Sequence, residues 1–151
     1  MMSRKGHEGY SFIEMLTAIA VLGLILTITI LSMAPQVQKA RVRSAVNMVS
    51  GDMSRALRLA VQHQRPMLIL FQPATRQYQI RDRDSSAAVH VQRDFGSGTD
   101  LAMDSLSASP TSVEVYPNGL IRETITVTVG IEGYTRSVRL TRAGLITIDP
   151  V

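Results

Sequence analysis

Two hydrophobic periods divide this chain. Residues 15–34 are apolar or weakly polar at every position and carry no charge. About 20 residues rising roughly 1.5 Å each cover the thickness of a hydrocarbon core, so this run predicts a membrane-spanning helix. Farther along, Val42, Val46, Val49, Met53, Ala56 and Ala60 recur at spacings of four and three, with Leu57 and Val61 widening the stripe. That is one face of an amphipathic helix, with Arg41, Ser44, Asp52, Arg55, Arg58 and Gln62 on its other faces. Pro35 is expected to kink or divide the helix. Pro66 biases Arg65 out of the helical region, so the helix should stop near Gln64. Gly23, with Thr27 and Thr29, permits local loosening inside the span.

After Pro66 the period becomes two. The stretches MLILF, QYQIR, AVHVQR, SVEVY, ETITVTVGI, YTRSVRL and LITID read as strands, punctuated by the turn signals QPATR, YPNG, GIEGY and TRAG. The last three strands read as a meander. Residues 94–110 are rich in Gly, Ser and Asp and lack clean periodicity, which predicts a long mobile loop. The fold class that follows is α+β: a long N-terminal helix whose outer half lies across an antiparallel sheet.

Composition changes this picture little. The 151 residues hold no cysteine, which excludes disulfides, thiolate catalysis and cysteine-ligated metals. The net charge of +4 comes chiefly from arginine, and without the first nine residues 14 basic and 11 acidic side chains remain. That balance is far below that of a nucleic-acid-binding tail. Basic residues lie on both sides of the apolar run, Arg4 and Lys5 before it and Lys39, Arg41 and Arg43 after it. Counted near the ends of the span, they lean weakly against an outward C-terminal domain.

The N-terminus carries the most specific signal. A secretory signal places its cleavage site after the apolar region, whereas here Gly9 precedes it. Cleavage after Gly9 would leave the apolar run as an anchor; the alternative is an uncleaved signal anchor. The stretch G-Y-S-F-I-E-M-L resembles the cleavage and methylation motif of type IV prepilins and type II secretion pseudopilins. The resemblance implies cleavage after Gly9 by a prepilin peptidase, N-methylation of Tyr10, and a role in filament assembly for Glu14. Tyr10 departs from the Phe or Met usual after the cut. An ionisable group near the membrane interior costs on the order of 2.5–3.5 kcal/mol, so a carboxylate there calls for a partner. The resemblance supplies one, the new N-terminal amine of a neighbouring subunit, whose charge methylation preserves.

A second resemblance lies in VEVYPNGLIRETITVTV followed by YTRSVRLTRAGLITI. This is similar to the C-terminal sheet of general secretion pathway protein H and the fimbrial T and U minor pilins. Together the two resemblances imply a pilin-like organisation: leader peptide 1–9, transmembrane helix 10–34, amphipathic helix 35–65 and a β-rich part 66–151. They imply a minor pseudopilin of the type II secretion pseudopilus, single-pass in the bacterial inner membrane with its domain in the periplasm. Its partners would be the prepilin peptidase, other pseudopilins and the assembly platform. The alternative is a minor pilin of a type IV pilus that binds DNA or surfaces. For DNA contact the candidates are Arg136 and Arg139, which have opposite strand parity.

No residue pattern in the chain points to enzymatic chemistry. His7, His63 and His90 share no metal-ligand spacing. Asp82 and Asp84 in RDRDSS lack the glycine and glutamate of a calcium loop and read as a solvated turn. No Ser-His-Asp order or phosphate loop is present. The expectation is a non-enzymatic protein with no metal and no cofactor.

Overall fold

A computed structural model of the chain describes residues 11–84 and 88–149; within its helix, the side chains of residues 28–32 and 34 also lie outside the description. Gly9 and Tyr10 are therefore outside the described residues. The chain divides into two compact units, residues 1–37 and 38–151. One helix, α1 (Phe12–His63), contains Pro35 without being divided there. A proline removes one amide donor, and the hydrogen bonds of flanking turns carry the helix past it. The helix is likewise unbroken at Gly23, whose carbonyl accepts a bond from the Thr27 hydroxyl at 2.8 Å. It ends at His63, where Pro66 leads one to expect, and Gln64 adopts a left-handed φ of 51°.

In the second unit eight strands form two antiparallel sheets. The first has the order β3 (Val89–Asp94), β2 (Gln77–Asp82), β1 (Met67–Gln72), β5 (Ser112–Val115). The second has the order β4 (Ser105–Ser109), β6 (Ile125–Ile131), β7 (Tyr134–Leu140), β8 (Ile146–Asp149). Period-two alternation sends one face of each strand inward. Met67, Ile69 and Phe71 from β1, Tyr78 and Ile80 from β2, and Val127, Val129, Val138 and Leu140 from β6 and β7 are buried. They join Val42, Val46, Val49, Met53, Ala56 and Ala60 of α1 in one cluster. The helix stripe read from the sequence is thus the buried stripe, except that Leu57 is half-buried and Val61 is exposed. The meander β6-β7-β8 is present, and its first turn, Glu132-Gly133, has positive φ at both residues (47° and 87°), as a two-residue hairpin requires.

Residues 94–110 correct the expectation of a long mobile loop. Phe95 and Met103 are fully buried, the Met103 amide donates to the Phe95 carbonyl (2.8 Å), and the Asp104 amide donates to that of Gly130 (2.9 Å). The Asp94 carboxyl is held below the usual carboxylate range, first by the Gly96 amide and then by Gln77. Residues 105–109 then form the edge strand β4, whose serines face out and whose Leu106 is buried.

Two tight turns meet beside the helix. Gly119 and Gly144 both have positive φ (78° and 77°), and a Cβ on Gly144 would lie 2.7 Å from the Gly119 carbonyl oxygen. The Ile121 amide also donates to the Arg142 carbonyl at 3.1 Å. Gly144→Ala combines a left-handed strain with a backbone clash and should destabilise the second unit by about 2 kcal/mol. Gly133→Ala, where nothing lies within 4 Å of a new Cβ, should cost about half as much. Chemical denaturation of the purified full chain in detergent checks the order of the two.

Candidate functional site

Of the residues singled out for assembly, Glu14 is described. It sits in the first turn of α1, where its amide donates to the Ser11 carbonyl (3.0 Å) and its own carbonyl accepts from the Thr17 hydroxyl (2.9 Å). Its side chain is exposed and pairs with no other described residue. Around it the apolar side chains face outward on all sides of the helix: Phe12 is 81% exposed, Ile19 68% and Leu24 65%. A helix that is apolar all round is a helix surrounded by protein or lipid. Among the described residues no helix is long and apolar enough to cross a membrane. Continuously described side chains of the run end at Thr27.

The second unit contains a buried ionic cluster that the sequence reading did not foresee. Asp52, read as lying on a face other than the apolar stripe, lies instead on the inward side and is only 6% exposed. The correction has a simple cause: its position borders the stripe, and two groups from the first sheet reach it. The Tyr78 hydroxyl donates to Asp52 Oδ2 at 2.7 Å, and Arg93 Nε donates to the same oxygen at 2.9 Å. Tyr78 packs between Phe71 and Phe95, with ring centroids 5.3 and 5.7 Å away. Burial, then the hydrogen bond to Asp52 and its negative charge, push the Tyr78 phenol far above its ordinary value. The hydrogen bond to Asp52 and that carboxylate's charge raise the Arg93 guanidinium as well. Asp52 and Tyr78 are buried in the cluster, while Arg93 remains 40% exposed at its outer end. Its role is to fasten helix to sheet.

The other candidates are dispersed. Arg136 shares strand parity with buried Val138 and Leu140, while Arg139 points to the opposite, exposed face. Arg139 is also paired with Asp149 at 3.5 Å. The structure therefore does not bring them together. His63 and His90, far apart in sequence, do meet, with ring centroids 5.4 Å apart, and His90 Nε2 lies 3.0 Å from Asp82 Oδ1. No sequence spacing signalled that contact, because it joins a helix end to a bulged edge strand. Among the described residues no group of three His, Asp or Glu side chains could hold a metal ion. Asp84 is exposed.

Comparison with solved structures finds this architecture in FimU, a type IV minor pilin of Pseudomonas aeruginosa. Its crystal structure in space group P21 matches with a TM-score of 0.60 and 17% identity, covering 75% of this chain and 91% of that one. The structure in space group P65 gives a TM-score of 0.57 and 18% identity, over 72% and 92% of the two chains. The fold is thus pilin-like, one long helix packed on antiparallel β structure. No protein-family model matches the chain, and no curated protein matches its sequence significantly.

Removing either partner of Asp52 tests the fastening role. Arg93→Ala leaves a buried carboxylate with one hydroxyl donor and should cost about 2–3 kcal/mol, less than a fully buried pair because Arg93 is partly exposed. Tyr78→Phe should cost about 1.5 kcal/mol, since Arg93 remains. An unfolded tyrosine ionises near pH 10, whereas folded Tyr78 stays neutral. Folding stability should therefore fall as pH rises past about 10, and Tyr78→Phe should flatten that fall. Equilibrium denaturation at pH 8 and pH 11 measures both effects.

Proposed function

We propose that this chain is the precursor of a minor subunit of a pilin-type filament. Residues 1–9 are a leader removed by a prepilin peptidase after Gly9, Tyr10 becomes the methylated N-terminus, and residues 10–34 anchor the subunit in the bacterial inner membrane. The single observation that carries this reading is Glu14. It is an exposed carboxylate without a partner among the described residues, in the first turn of α1, where no other charged residue occurs up to Thr27. Such a charge is costly in lipid unless a cation answers it, and cleavage after Gly9 makes a cation one turn away on every copy. The likeness of the domain to a minor pilin supports the same reading independently of the N-terminus.

The filament we favour is the pseudopilus of a type II secretion system, because the closing strands resemble general secretion pathway protein H. The other pseudopilins and the inner-membrane assembly platform would be its partners, with the domain in the periplasm. A minor subunit of a type IV pilus is the second reading, favoured by the fold match to FimU. Loss of protein export on deletion, with pilus assembly intact, supports the first; the reverse pattern supports the second.

Two variants test the common part. Gly9→Leu should accumulate as an unprocessed precursor, while the parent protein should begin at Tyr10 when its N-terminus is sequenced from cells with an active peptidase. Glu14→Ala should be processed normally yet enter filaments at least tenfold less often. Parent protein beginning at Met1 or Met2, or undiminished incorporation of Glu14→Ala, would overturn the reading.

A further inference from the structure

The exposed surface of α1 in the second unit has an unusual charge distribution. Between Pro35 and Arg65 the sequence holds Lys39, Arg41, Arg43, Arg55 and Arg58 and a single acid, Asp52. That acid is buried and held by Arg93 and Tyr78. Lys39, Arg41 and Arg43 are exposed, and none pairs with a carboxylate among the described residues. Lys39 Nζ lies 5.0 Å above the Tyr134 ring, a contact that positions the cation without neutralising it. One acid stands near: Glu132, which accepts a hydrogen bond from Gln38.

We infer that Lys39, Arg41 and Arg43 form a collar for anionic phospholipid headgroups, holding the unassembled subunit at the membrane surface. The inference rests on the membrane anchoring proposed above. Its geometric basis is the spread of the three positions around the helix. At about 100° per residue, Lys39 and Arg43 lie within roughly 40° of each other and Arg41 stands about 160–200° away, on the other flank of the buried stripe. A protein docked on one side of the helix would reach Lys39 and Arg43 or Arg41, not both. A headgroup layer can reach both exposed flanks of the helix, while the stripe between them, Val42, Ala45 and Val46, is taken up by the second unit's own core. The three positions rise only about 6 Å along the axis, which fits a layer roughly 5–7 Å deep on each side of the hydrocarbon. In sequence the collar begins a few residues after the apolar run ends at Ala34, where a span would reach the headgroups. Each cation near an anionic surface is worth about a fivefold gain in association.

The test uses the full chain reconstituted in phosphatidylcholine bilayers containing a trace of spin-labelled lipid. At low salt, the fraction of spin-labelled phosphatidylglycerol immobilised by the protein should exceed that of spin-labelled phosphatidylcholine about three- to tenfold. The preference should shrink at 0.5 M salt and approach parity in the combined Lys39→Gln, Arg41→Gln, Arg43→Gln variant. Glu132→Gln, which removes the adjacent negative charge, should increase it. Equal immobilisation of the two lipids by the parent chain overturns the collar while leaving the anchor intact, and would return the three cations to an acidic protein partner. A preference that survives the triple replacement overturns it as well. Failure to immobilise either lipid instead overturns the membrane anchor on which the collar depends.

Discussion

Asp52 is the constraint around which the second unit is arranged. Apart from Met53, the rest of the buried helix stripe, Val42, Ala45, Val46, Val49, Ala56 and Ala60, consists of valine and alanine. Such a stripe gains apolar burial at many axial positions along two sheets, so packing alone specifies its register weakly. A carboxylate at 6% exposure does not share that tolerance. Displacing the helix by one turn in either direction would leave Asp52 buried away from Arg93 and Tyr78, a loss of several kcal/mol that no rearrangement of valine and alanine recovers. The ion pair thus selects one alignment among many that are hydrophobically acceptable. Phe71 and Phe95 on either side of Tyr78 keep the phenol in place to meet it.

The helix contains two acids, and their contrast is instructive. Asp52 is answered by two side chains of its own chain, from β2 and β3. Glu14 is answered by none among the described residues. A fold that spends an arginine and a tyrosine on the first acid treats an unpaired carboxylate as costly. Under the proposed reading, the cation that would answer Glu14 is the N-terminal amine of another copy. Beyond Pro35 the helix carries no acid except Asp52.

Much of the fold was legible because it depends on periodicity. Seven strands and the buried helix stripe follow from alternation at two and at three-to-four, and the C-terminal end of α1 follows from Pro66. The hairpin at Glu132-Gly133 was marked by its turn residues. What escaped has a common physical cause. β4 reads SLSAS, with one large apolar residue, because an edge strand buries a single face against few neighbours. Phe95 and Met103 pin a stretch whose Gly, Ser and Asp content resembles free loop, and two anchors eight residues apart carry no period. Asp52 was misplaced because a charge on the margin of a stripe is assigned to solvent until its partners are known, and Arg93 lies 41 residues away. The His63–His90 contact was hidden for the same reason. Opposite parity at Arg136 and Arg139, by contrast, was readable directly, and the structure keeps them on opposite faces.

The candidate assembly site shows the reverse asymmetry. Gly9, Tyr10 and Glu14 are legible only as an ordered sequence, since two of the three lie outside the described residues and the third has no partner among them. Packing reveals interactions completed within one molecule, such as Asp52 with Arg93. An address completed between molecules leaves its trace as an unanswered charge in an otherwise uniform apolar surface. At 17% identity the likeness to FimU preserves the arrangement of helix and strands while most side chains differ. The fold match thus speaks to architecture, while the charged positions of α1, Asp52 buried and Glu14 without a partner among the described residues, are what the proposed reading rests on.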